Sequence, residues 1–281
     1  MLLAATAAVI PASFAIADGG GDIGLRPVGG VIETTPTPED SGIFDGPVER
    51  VFVSEFEVEG DPSDPATDND IFSELPTLPT GIPTGNTPGF DSPAGGAGFA
   101  DGTLVGIDLF TPELLPENFM LYNPGTDGVE SVGPDAGLQM FFQSPGKLAR
   151  TNVAPGPTGS TDLFLPVFSG GGGEQDAGRW HRHYVFSIFG DVDAGVLQEP
   201  DGGIYILEFD ILNIDNIDDQ NILAASEPTF IVFGVGSELN GDFTDEELDE
   251  AVEFLETQVI PEPASLGLLG VAGLGLMRRR R

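Results

Sequence analysis

The 281-residue chain contains only two histidines, His181 and His183, set in Gly-Arg-Trp-His-Arg-His-Tyr-Val-Phe beside its sole tryptophan, Trp180. On an extended strand, residues i and i+2 project to the same side, so both imidazoles could approach one metal ion. Zinc or calcium would be the cofactor, and a carboxylate such as Asp191 or Asp193 the expected third ligand. The alternative is a polar strand whose basic cluster, Arg179 and Arg182, pairs with nearby carboxylates. In that strand Arg182 would point away from the histidines.

Acidic clusters offer a second kind of site. Asp215, Asp218 and Asp219 fall in one short stretch, Asn-Ile-Asp-Asn-Ile-Asp-Asp-Gln-Asn, that could supply oxygens to a weakly bound calcium. The acidic run at 238–247 lacks the glycine of a calcium loop and reads better as a helix start. No nucleophile elbow, no cysteine and no His-Glu-x-x-His helix is present. The chain is therefore expected not to be an enzyme. A polysaccharide-active enzyme using paired carboxylates is the one catalytic alternative that spacing leaves open.

Charge narrows the partners. Residues 18–260 hold six basic and forty-five acidic side chains, a formal charge of −39. Such a surface repels nucleic acid, which is excluded as a partner, and attracts divalent cations or basic surfaces. Extracellular polysaccharide is a further candidate partner. With no cysteine in the chain, stability is expected to come from an apolar core, and some 240 residues are enough to bury one.

The elements that would carry these residues are mostly strands between long Gly/Pro/Asp loops. Residues 18–46 read as a flexible lead-in, and 47–258 as an acidic β-rich extracellular domain. Within it 48–59, 103–110 and 138–143 have strand character, and 163–168 would be confined to a sheet edge by Pro166. Residues 60–100 read as a long irregular excursion, and the four glycines 170–173 as a connection without the Lys-Ser/Thr of a phosphate loop. Three stretches near the end, 183–190, 203–212 and 229–234, are expected to be neighbouring antiparallel strands. Tyr205, Leu207, Phe209 and Ile211 lie on one face of the second. Thr244 followed by Glu247 forms a capping-box pattern, with Leu248, Val252 and Leu255 on one helical face. The expected fold is mainly β, an antiparallel β-sandwich, with the Ig-like kind as one form of it, and one C-terminal amphipathic helix.

The tail, Val-Ile-Pro-Glu-Pro followed by fourteen uncharged residues and four arginines, has a different physics. As a helix, residues 264–277 would span roughly 21 Å, short of the ~30 Å hydrocarbon layer. Gly267, Gly270 and Gly273 would line one side and admit another membrane helix. Arg278, Arg279, Arg280 and Arg281 would stay cytoplasmic, leaving the body outside. Pro261 and Pro263 forbid helix and keep the preceding chain extended.

This arrangement resembles the PEP-CTERM sorting signal of bacterial surface proteins. Pro261, Glu262 and Pro263 match its motif, 264–277 its hydrophobic segment and 278–281 its basic tail. The resemblance implies recognition by an exosortase, cleavage near the motif, transient inner-membrane anchoring, and delivery to the cell envelope surface or extracellular matrix. An uncut tail anchor, a plain transmembrane helix, is the alternative. The body also resembles an uncharacterised group of such proteins that share a His-x-His strand, which draws attention to His181 and His183 without assigning a reaction.

At the other end, residues 1–17 read as a signal peptide, with an apolar run at 2–16 and small residues before Asp18. The missing basic n-region is attributed to a start codon placed too late. The export machinery and signal peptidase would then be partners. A secreted protein of structural or binding type is the expected function, with a metal-binding surface module at His181 and His183 as the alternative.

Overall fold

A computed structural model describes residues 22–37, 44, 46–57, 84–85, 88–100, 102–109, 112–132, 137–144, 147–152, 165–166, 178–182, 184–190, 192–193, 196–197, 200–215, 223–236 and 242–260. The segments read as signal peptide, glycine run 170–173 and hydrophobic tail lie outside them. In chain order the strands are β1 (Asp22–Val28), β2 (Val31–Thr37), β3 (Val51–Glu57), β4 (Thr84–Gly85), β5 (Phe90–Asp91), β6 (Thr103–Asp108), β7 (Phe119–Asn123) and β8 (Gly128–Ser131). They continue with β9 (Gly137–Ser144), β10 (Lys147–Asn152), β11 (Leu165–Pro166), β12 (Val185–Phe189), β13 (Val192–Asp193), β14 (Val196–Leu197), β15 (Gly203–Asp215) and β16 (Thr229–Gly236). One α-helix, α1 (Asp245–Phe254), runs into a π-helical turn, Leu255–Val259.

The architecture is a β-sandwich with a helix on its back. The largest sheet runs β11-β6-β15-β16-β3, with β7 and β8 attached through β15, and the smaller sheets run β2-β1-β5 and β10-β9-β12-β4. The two small sheets face one side of the large one. Ile23, Leu25, Ile32 and Phe90 from the first and Leu138, Phe186 and Ile188 from the second share a core with Tyr205, Leu207, Phe209 and Ile211 of β15. The alternate β15 residues, Ile204 and Ile206, join Leu248, Ala251, Phe254 and Leu255 in a second core under α1. The large sheet is thus buried on both faces, which explains why β16 is apolar at nearly every position. In β3, Val51 enters one core and Phe52 the other.

Four expectations are corrected by the packing. Residues 22–37 are not a flexible lead-in but a fully paired antiparallel hairpin whose Ile23, Leu25 and Ile32 belong to the main core. Its turn is Gly29-Gly30, both with positive φ, the geometry in which two-residue hairpin loops match strand twist. The excursion 60–100 contains β5, which pairs in parallel with β1. β12 is not a neighbour of β15 and β16: it pairs with β9 and β4 in a separate sheet, while β15 and β16 are antiparallel neighbours as expected. β3 adds to β16 in parallel, so the sandwich is not purely antiparallel. Pro166 does sit on an edge strand, in β11. The immunoglobulin-like connectivity is not established by this strand order.

β15 changes partners midway, and one buried acid marks the change. Residues 204–207 pair with β7 and 210–215 with β6. Between them Glu208, 2 % exposed, accepts hydrogen bonds from the backbone N–H groups of Glu113, Leu114 and Leu115 at 2.6, 2.9 and 2.6 Å. Asn118 adds two bonds to the Glu208 backbone, so the whole β6–β7 crossover hangs on this residue. Three N–H donors converging on one carboxylate satisfy a charge that burial would otherwise make costly.

α1 begins as its sequence dictates. Thr244 is extended, and its hydroxyl accepts the Glu247 N–H at 3.2 Å and lies 3.1 Å from the Glu247 carboxylate. Asp245, Glu246 and Glu247 occupy the first turn, where the helix dipole favours negative charge.

Candidate functional site

The only described grouping with metal-ligand chemistry lies where β1, β5 and the 178–182 segment meet. Asp22 opens β1 and Asp91 closes β5, adjacent strands in parallel register. Segment 178–182 is stitched to β5 by a pair of backbone bonds between Phe90 and Arg182, both 2.8 Å, and by the Trp180 N–H donating to the Ser92 hydroxyl at 2.8 Å. Gly98 and Gly178 allow the loops to touch: a Cβ on Gly98 would collide with the carbonyls of Pro93 and Gly178, and Gly178 has φ +83°. Beneath, Trp180 and Tyr184 pack fully buried against Phe90. The aromatic block is the rigid floor on which His181 is held.

The strand assumed for His181 and His183 starts later, at Val185, and Arg182 makes only an isolated bridge. His181 sits beside carboxylates that sequence spacing did not indicate. Its Nε2 is 3.8 Å from Asp22 Oδ2 and its Nδ1 3.9 Å from Asp91 Oδ1. One ligand atom from each of Asp22, Asp91 and His181 falls within 4.8 Å of the others. Asp22 lay in the stretch read as lead-in and Asp91 in the stretch read as irregular. The Val-Gly-Gly-Val turn at 28–31 was the available signal for the first. For the second, a two-residue strand carries no periodicity to find.

Arg179 decides what this group does as it stands. Its Nε and Nη2 donate to Asp91 Oδ1 and Oδ2 at 2.7 and 2.5 Å, and Nη2 also lies 3.1 Å from His181 Nδ1. Arginine has no acceptor, so Nδ1 accepts, and the hydrogen-bond network assigns the proton of the neutral ring to Nε2, facing Asp22. Asp91 Oδ1 also takes the Ser92 N–H at 2.8 Å. The positive charge among these carboxylates is the guanidinium itself. A cation here would need Arg179 to withdraw, which would free the Nδ1 lone pair. Next door, burial lowers the Arg182 guanidinium below its ordinary pKa and raises the Tyr184 hydroxyl far above its own.

His183, Asp191, Asp218 and Asp219 lie outside the described residues, as do Pro261, Glu262, Pro263 and Arg278 to Arg281. Asp215 ends β15, paired with Thr103 of β6. The 238–247 run is a helix start, with Phe243 packed against Gly234. Another acidic group, missed in the sequence, surrounds Asp210, whose β6 partner is Asp108. Burial, then the charges of Glu113, Asp108 and Glu208, push Asp210 up to about 7 against the opposing pull of Arg50.

After α1 the described chain is held by specific bonds. The Ile260 N–H donates to the Leu255 carbonyl at 2.8 Å, and Gln258 Nε2 donates to Asp127 Oδ2 at 2.8 Å. Val259 and Ile260 pack against the helix-side core. Ile260 is extended, φ −83° and ψ 115°, as a residue before proline must be.

Residues 259–281 match the PEP-CTERM protein-sorting motif. The match thus begins on the last two described residues, and it indicates an exported, exosortase-sorted surface protein. Comparison with curated proteins and with solved structures finds no match. These comparisons do not bear out the likeness of the body to a group sharing a His-x-His strand. Among the described residues no helix is long and apolar enough to cross a membrane.

Proposed function

We propose that the body is a non-catalytic binding or structural module of the cell surface or extracellular matrix, delivered there when an exosortase takes the tail and cuts near Pro261-Glu262-Pro263. The observation that carries this reading is the sorting motif at 259–281, joined directly to the end of the folded body. A short apolar segment holds the precursor at the inner membrane only for a time, because it is too short for a stable span. The strongly acidic body suits a hydrated, cation-rich exterior and contact with extracellular polymer. Pro261→Ala/Pro263→Ala should leave the precursor in the membrane fraction with its arginines intact. Release of that variant at the parental rate would end the sorting reading.

A second reading, a metal-binding surface module, draws on the three donors of Asp22, Asp91 and His181 within 4.8 Å. It requires the rearrangement of Arg179 described above. Metal analysis of untagged protein beside His181→Ala decides it: equal zinc and calcium contents in the two proteins would remove the metal from consideration.

A further inference from the structure

The sorting motif and the folded body share residues 259 and 260. A protease binds its substrate as extended chain on both sides of the cut, and before Pro261 only Ile260 is extended, residues 255–259 being held in a helical turn. Leu255, fully buried, anchors the π-helical turn, and Val259 and Ile260 cover the helix-side core. Thr257 bonds back to the Glu253 carbonyl at 2.7 Å, and Gln258 is tied across to Asp127. Asp127, at φ 48°, also accepts from the Tyr122 hydroxyl, whose ring packs on Phe254. The turn at 124–127 and the end of the helix therefore hold one another, and together they hold the start of the sorting motif.

We propose that this packed helix end is an autoinhibitory contact that limits sorting: the exosortase takes the signal only after residues 255–260 peel from the core. The inference rests on the sorting reading above. Local opening of a helix end costs far less than global unfolding, so the contact sets a rate and leaves the fold intact.

The test separates the motif from the body without altering either. A six-residue Gly/Ser spacer is inserted between Gln258 and Val259, leaving 259–281 intact, and the same spacer is inserted at the exposed Gly29-Gly30 turn as a control. In cells that carry the exosortase, the ratio of precursor to processed protein is followed by pulse-chase. The first insertion should speed processing by about tenfold, the order expected from unburying parts of one Val and one Ile side chain. The control insertion should leave the rate unchanged. Processing of the 258/259 insertion at the parental rate or slower overturns the inference, as does equal acceleration by the control. Pro261→Ala/Pro263→Ala in the spacer background separates the two claims. Blocked processing there keeps the sorting reading whatever the spacer does, and undiminished processing removes both.

Discussion

Arg179 grips Asp91 by two parallel hydrogen bonds, Nε to Oδ1 at 2.7 Å and Nη2 to Oδ2 at 2.5 Å, with the carboxylate side chain only 4 % exposed. A buried two-point pair of this kind is weak evidence of net stabilisation against an apolar pair, but removing one partner strands the other charge. Asp91→Asn should therefore destabilise the protein by about 3 kcal/mol. Urea unfolding at neutral pH measures it. Because the same guanidinium fixes Nδ1 of His181, the histidine ring should also become more mobile, visible as averaged imidazole resonances by NMR.

Glu208→Gln should cost about 2 kcal/mol, since an amide offers one acceptor oxygen where the carboxylate bonds three N–H groups. The loss has a local signature. Amide exchange at Glu113, Leu114 and Leu115 should accelerate more than exchange in β16, which lies on the other side of β15.

Acidification should stabilise the fold through Asp210 and Glu49. Both are pushed up to about 7, mainly by burial, with Glu256 adding to Glu49 and Glu113, Asp108 and Glu208 to Asp210. A carboxyl with a raised folded-state pKa contributes stability that is complete below its unfolded value, near 4, and is lost as pH rises through about 7. The melting temperature should fall from pH 5 to pH 8, and Asp210→Asn with Glu49→Gln should flatten that fall. A parallel decline in the double variant would place the pH dependence elsewhere.

Thr244→Ala should lower stability by about 1 kcal/mol by removing the N-cap, and Thr244→Ser should restore most of it. Thermal melts of the three proteins decide the point. The capping residue is exposed, so the effect isolates the cap from core packing.

The parts legible in sequence are those whose cause is local. Thr244 and Glu247 are one turn apart, and the helix appears where they place it. The sorting motif is a covalent order of residues that needs no fold to be read. Alternation in β15 put Tyr205, Leu207, Phe209 and Ile211 together, and they do share a core.

Tertiary structure alone decided which strands are neighbours. Alternation tells a residue's face but not its partner strand, so β12 could be recognised as a strand while its sheet could not. The same limit hid the 22–37 hairpin's place in the core, the second buried face of the large sheet under α1, and the partner change at Glu208. It also hid the site. Asp22 and Asp91 reach the Arg179–His181 segment from two other stretches of chain, and contacts between such distant residues leave no period in a sequence. Whether the imidazole meets a metal or a guanidinium depends on how those stretches pack, and here the packing puts Arg179 between them.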